Sequence, residues 1–465
     1  MHAKLALLAP LLLAGCPDRT IAGVPVDQTR VETKSMPGTP RRDLDILFLI
    51  DSSRSMEEEQ ESLRANFDRF ITVLESLDGG LPNVQIGVAT PDLGSSATNG
   101  TNAGANVGGC TARGLGGELR ALPGTNLRFL RDVDDGSGGR IRNFTGTLQE
   151  RFAELADVGI DGCGIEQHLE SVKRVLDGNP VNAGFLRPNA YLAVIVVADE
   201  DDCSLAQSSL FEGNTGDPQW GDKVNFRCTR DGIVCDNPSG PLTTVGRREN
   251  CRPDPASTML TSLDRYVEFL KSLKANPKDV MVAGIIGDAG PFEIHAPNGT
   301  PVLKPSCIYE GPTGDQFAFP GLRLGHLISQ FPQRNSTTTI CDEDLSEGLT
   351  EIGAMIAGTL GDPCFRSQLS DVDPETDGAQ YECSVTEVRE RPNGPPEDLR
   401  VIPACDATAS RLPCFRIEED PVQCKFVETN PKLKLVIERG GVAPEAGVAI
   451  QASCVTTASS GMGVR

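Results

Sequence analysis

LDILFLIDSSRSM, residues 44–56, runs an apolar strand straight into Asp51, Ser52, Ser53, Arg54 and Ser55. Six of the seven residues from 44 to 50 are apolar, which suits a strand covered on both faces, as in the parallel sheets of α/β folds. Ligand sites in such folds lie at the carboxyl ends of strands. Asp51, Ser53 and Ser55 offer oxygen atoms at alternate positions of a tight loop, the arrangement a hard divalent cation such as Mg²⁺ requires. Asp and Ser also terminate strands and cap helices, so the motif alone leaves both readings open.

The chain has 465 residues and 38% apolar content, enough for two or three globular domains. Its 43 basic and 65 acidic residues give a formal charge of −22 with no dense basic block, which argues against nucleic-acid binding. At the N-terminus His2 and Lys4 precede an apolar run over residues 5–13, too short to span a bilayer. The following Leu13-Ala14-Gly15-Cys16 resembles the lipobox of bacterial lipoproteins. That resemblance implies a signal peptide over residues 1–16 and a lipid on Cys16. The mature chain would then be extracytoplasmic and anchored to a bacterial membrane, on its periplasmic side or at the cell surface.

Cysteine parity agrees with this. Of 15 cysteines, assigning Cys16 to lipid leaves 14, compatible with up to seven disulfides in an oxidising compartment. No CxxC pair occurs and the four histidines are scattered, so structural zinc is a poor alternative. Proximity suggests pairing Cys228 with Cys235, Cys307 with Cys341 and Cys414 with Cys424.

Residues 17–42 are polar and read as a flexible tether. Strand and helix patterns then alternate: strands at 44–50, 84–90, 190–198 and 280–287, helices at 57–77, 165–176, 257–274, 321–331 and 344–360. Residues 94–146 are Gly- and Asn-rich and read as irregular, and a Cys-rich insertion is expected near 203–255. The expected class is therefore α/β over residues 43–360, with a mostly parallel sheet between helix layers. Residues 361–465, with six cysteines and short β-type runs, read as a small disulfide-stapled β module.

The strand 190–198 ends in Asp199-Glu200-Asp201-Asp202, so Asp51 and Asp199 should lie at the same sheet edge. This arrangement resembles the von Willebrand factor type A domain, whose metal-ion-dependent adhesion site begins with DxSxS after the first strand. The resemblance implies a Rossmann-like three-layer fold. It further implies Mg²⁺ (or Ca²⁺ or Mn²⁺) held by Ser53 and Ser55, with Asp51 orienting them or a bound water and Asp199 opposite. The threonine that family supplies is missing from residues 158–164, where Cys163 falls nearest its place and reads better as a disulfide partner. Asp161 and Glu166 are candidate substitutes, and Thr145 and Thr147 lie earlier in the chain. A second cation, Ca²⁺ by its tolerance of many carboxylates, could be held by Glu200 and Asp201 with Asp92; a solvated acidic loop is the alternative.

The function this supports is a membrane-anchored adhesion lipoprotein, not an enzyme, that captures a protein ligand through an exposed carboxylate on the cation. A structural component of an envelope assembly, with the cation only stabilising the fold, is the alternative. No HExxH, GxSxG or phosphate-cradling glycine motif is present to suggest catalysis.

Overall fold

The computed structural model describes residues 31–38, 41–77, 79–103, 110, 114–211, 224–236, 241–311, 314–373, 375, 378–389, 391, 394–406, 408–445 and 447–457. Cys16 and the expected signal peptide lie outside them. β1 is Val31–Pro37, β2 Asp43–Ile50 and β3 Asn83–Ala89, with α1, Glu57–Glu75, between the last two. β4 (Phe129–Asp134) and β5 (Arg140–Arg142) precede α2 (Leu148–Ala156), α3 (His168–Leu176) and β6 (Tyr191–Ala198). Next come α4 (Val224–Gly232), β7 (Ile233–Cys235), β8 (Gly246–Arg248), β9 (Cys251–Pro253), α5 (Leu263–Ser272), β10 (Val280–Ile286), β11 (Phe292–His295) and β12 (Val302–Leu303). β13 (Cys307–Gly311), β14 (Gly314–Ala318), α6 (Leu322–Ser329), β15 (Asn335–Thr339) and α7 (Ser346–Leu360) follow. The C-terminal part contains β16 (Cys383–Arg389), β17 (Glu397–Ile402), β18 (Cys414–Glu419), β19 (Leu433–Glu438) and β20 (Val448–Val455).

Strand pairing corrects the expected fold class. Among the described residues ten strand pairings are antiparallel and four are parallel. The strands form six sheets, and the parallel pairs are confined to one of them, ordered β15-β10-β6-β2-β3-β4-β5, whose last two pairings are themselves antiparallel. The chain is a multi-sheet, predominantly antiparallel β protein with seven helices and seven disulfides among the described residues. The expected class, a Rossmann-like three-layer von Willebrand factor type A domain with a mostly parallel sheet, took its pattern from the few long apolar strands. Most of the remaining strands are short, polar or half-exposed, and antiparallel neighbours can pair without a buried crossover.

Within the seven-stranded sheet the apolar strands decide the packing. Leu44, Ile46, Phe48 and Ile50 of β2 face one core with residues of α1, α2 and α7, whereas Leu47 and Leu49 face a second core with α3, α5 and α6. Phe48 meets Phe67, Phe70 and Phe152 edge-on at centroid distances of 6.0, 5.8 and 4.9 Å, geometry in which ring edges meet electron-rich faces. Asp45 interrupts the apolar run and is fully buried, with Arg187 Nε donating to it at 2.7 Å and Lys274 Nζ 3.6 Å away. Two opposite charges are what make that buried carboxylate tolerable.

Residues 31–37, within the stretch read as a tether, form β1 and pair antiparallel with β20, from Val31 opposite Val455 to Pro37 opposite Ala449. Met36 joins Phe365, Val385, Ile402, Leu435 and Ile450 in the C-terminal core. The signal was invisible locally because VETKSMP is polar and its partner lies over 400 positions away. The cysteines pair as Cys110–Cys163, Cys203–Cys228, Cys235–Cys251, Cys307–Cys341, Cys364–Cys424, Cys383–Cys454 and Cys405–Cys414. Cys307–Cys341 is the pair expected from proximity; Cys228, Cys235, Cys414 and Cys424 take other partners. Seven disulfides place the protein in an oxidising, extracytoplasmic compartment. No helix among the described residues is long and apolar enough to cross a membrane.

Hydrogen exchange tests the β1 assignment. Those amides of residues 31–36 that face β20 should exchange as slowly as the amides of β20, within about tenfold, whereas a tether would exchange at the rate of an unfolded peptide.

Candidate functional site

β2 and β6 are parallel neighbours, with Ile50 opposite Val197. Their carboxyl ends therefore release Asp51 and Asp199 side by side, and Asp51 N still donates to Val197 O at 3.0 Å. Both acids are buried. Asp51 Oδ1 accepts from Ser53 N at 2.8 Å, a local turn bond, while Oδ2 has no hydrogen-bond partner and lies 3.9 Å from His168 Nε2. Gln60 of α1 donates to Asp51 O at 2.9 Å and to Gly159 O at 3.0 Å, tying the loop of residues 159–164 to the strand end. Asp199 Oδ1 is likewise buried without a partner, and Ser55 hydrogen-bonds the Asp199 carboxyl group.

Glu166 joins them. It is buried, its carboxyl hydrogen-bonds Glu200, and its charge interacts with Asp51 and Asp199. Two carboxyl groups that hydrogen-bond each other share a proton. Burial, then the neighbouring acids, hold Glu166 and Asp199 well above the usual carboxylate range. Burial pushes Asp51 up to about 7, opposed by the Ser53 amide and reinforced by Glu200. Glu59, in the first turn of α1, is also pushed up by burial to about 7. Burial pulls the adjoining His168 down to about 4, leaving a neutral ring.

The expected divalent cation is corrected here. Among the described residues no group of three or more His, Cys, Asp or Glu side chains is arranged to hold a metal ion. The donors are spent on one another: Ser53 Oγ lies 3.1 Å from Ser55 Oγ, Ser55 bonds Asp199, and Glu166 bonds Glu200. The acids proposed for a second Ca²⁺ are dispersed. Asp92 Oδ1 accepts from Gly94 N at 2.9 Å. Asp201 accepts from Arg323 N and Leu324 N at the start of α6, both oxygens lying 2.9 Å from the former. Asp161 is 93% exposed, facing Arg54 at 3.8 Å. Mg²⁺, Ca²⁺ and Mn²⁺ are therefore withdrawn as cofactors.

The loop where a threonine was expected is closed against the strand. Gly162 N donates to Ser52 O at 2.9 Å, and a Cβ on Gly162 would lie 2.2 Å from Ser52 Oγ. Cys163 is bonded to Cys110, Thr147 caps α2, and Thr145 is exposed. Asp202, the last of the four consecutive acids, ties neighbouring segments together, accepting from Leu169 N, Ser204 Oγ and Arg323 Nε at 2.9, 2.6 and 3.0 Å. Sequence reasoning missed Glu59, Gln60 and His168. The acidic opening of α1 was a signal for the first, but nothing local marks the other two. What remains is a buried cluster of Asp51, Glu166 and Asp199 behind a half-buried rim of Ser53, Ser55 and Glu200.

No family model matches the chain, and no curated protein does. Solved structures similar to it include an adhesive tip pilin, GBS104, from Group B Streptococcus agalactiae, at 10% identity and TM-score 0.26 over 96% of this chain and 85% of that one. Another is the three N-terminal domains of the type V pili tip protein Mfa5 from Porphyromonas gingivalis, at 12% and 0.29 over 93% and 66%. A third is the human COPII-coat protein Sec24c, at 8% and 0.27 over 92% and 41%. Scores this low assign neither fold nor function.

The raised acids set a pH dependence. Below pH 4 both folded and unfolded carboxyls are protonated; between about 4 and 7 the folded Asp51 and Glu59 keep protons that the unfolded chain has released. Their contribution is thus present at low pH and lost as pH rises through about 7. His168 opposes this between about 6.5 and 4, because the folded ring resists the proton the unfolded one accepts. Five raised acids outweigh one histidine, counting Asp199 and Glu166 with Asp51, Glu59 and Asp201, the last pushed up to about 6 by burial. Denaturant titrations should show greater stability at pH 5 than at pH 8, and Asp51→Asn should gain about 1–3 kcal/mol at pH 8 and little at pH 5.

Proposed function

We propose that the protein is an extracytoplasmic, adhesion-type binding protein that engages a partner protein at the carboxyl edge of β2 and β6. The observation carrying this reading is the convergence of Asp51, Glu166, Asp199 and Glu200, with unpartnered buried oxygens on Asp51 and Asp199. Like charges forced together out of water oppose folding, and such groups cluster where a site has a function. The expected ligand carboxylate depended on a cation. Without one, a partner's lysine or arginine is the favoured occupant behind Ser53, Ser55 and Glu200, because a cation there would release the protons these crowded carboxyl groups retain and pair with the charge that results.

Immobilised full-length protein, presented with secreted and surface proteins, tests the reading. Wild-type protein should retain a partner that Glu200→Gln and Asp199→Asn each weaken by roughly tenfold or more, with thermal stability unchanged or raised. Retention of the same proteins by both variants at equal strength would overturn it.

A further inference from the structure

The hairpin of β13 and β14 has two unlike faces. Its register runs from Cys307 opposite Ala318 to Gly311 opposite Gly314. Inward, it lies on the start of α1: burial and then the charges of Glu59 and Glu58 raise the Tyr309 phenol, and a Cβ on Gly311 would meet Glu58 Oε2 at 2.2 Å. The Cys307–Cys341 disulfide staples one strand, and just past the other Phe319 N donates to Asp199 O at 2.7 Å. The hairpin is thus fixed beside the acid cluster.

Outward, Ile308 is 59% exposed and Phe317 38% exposed, and they stand directly opposite each other in register. The next outward pair is Glu310 and Asp315, both exposed and also opposite each other. Strand alternation puts all four on one face. Phe317 is held edge-on against Phe319, ring centroids 5.5 Å apart, so its solvent-facing side is preset. Directly opposed like charges destabilise a strand pair, and neither acid has an ion-pair partner among the described residues.

We infer that the outer face of this hairpin docks a protein segment that sets an apolar side chain on Ile308 and Phe317 and an adjacent lysine or arginine between Glu310 and Asp315. Charge complementarity selects that occupant: an acidic segment would add a third negative charge, and an uncharged one would leave the opposed acids uncompensated. The aromatic and branched side chains supply the desolvated centre of such a contact, and the acids its orientation. This rests on the reading of the chain as a binding protein but uses a surface separate from the buried acids.

Fluorescence anisotropy on the full chain provides the test. The probe is a labelled peptide of alternating leucine and lysine, compared with all-lysine and leucine–glutamate peptides of equal length. The leucine–lysine peptide should bind at least roughly tenfold tighter than either control. Ile308→Ser with Phe317→Ser, and separately Glu310→Gln with Asp315→Asn, should each weaken it by roughly tenfold while melting curves stay unchanged. Equal affinity for the three peptides, no binding by wild-type protein, or indifference to both double variants would overturn the inference. Hairpin variants without effect, together with loss of partner binding in Asp199→Asn, would sink this surface and leave the acid-cluster reading standing; the reverse pattern would do the opposite.

Discussion

The parallel pairing of β2 with β6 is the constraint from which the rest of the central sheet follows. Both strands are apolar on both faces, so helices must cover each side, and polar side chains can leave only where the strands end. Because the two strands run in register, their ends coincide. Asp51 and Asp199 are therefore brought together by backbone hydrogen bonding, not by attraction between their side chains, which repel.

That origin explains the character of the acid cluster. Glu166 is added by the loop before α3, which Cys110–Cys163 and the Gly162–Ser52 contact press onto the strand end. Asp202 sits three residues beyond Asp199 yet takes no part, because Arg323 and the amide of Leu169 claim it. The same run of four acids thus divides into a buried repelling member, a half-buried rim member, one at the start of α6 and one ion-paired member. Charge density in a sequence says little about which carboxylates will face one another.

The C-terminal sheet obeys a different logic. Its outer strands β1 and β17 are mainly half-buried or exposed while β20 and β16 supply most of the buried residues, and its stability is shared between a small apolar core and disulfides such as Cys364–Cys424 and Cys383–Cys454. β1 completes it from the far end of the chain. A polar heptapeptide becomes a strand there because β20 offers a row of unpaired backbone groups and the core has room for Met36.

Long apolar runs were legible from the sequence: β2, β3, β6 and β10 lie where the pattern placed them, as do α1, α3, α6 and α7 to within about three residues, while α5 begins at Leu263, six residues after the expected start. Legible too were the disulfide-rich, extracytoplasmic character and the adjacency of Asp51 and Asp199. These follow from local composition and from the rule that parallel strands share an edge. Unread were α2, announced only by the Thr147–Glu150 capping box, the edge strands β5 and β15, which are short and largely polar, and β4 beside β5, whose buried positions include Asp132. The predominance of antiparallel pairing, the disulfide partners, β1, and the use of Ser53, Ser55, Glu166 and Glu200 on one another in place of a cation were decided only in three dimensions. Each depends on contacts between residues distant in the chain, and the energy of such a contact is written in neither partner alone.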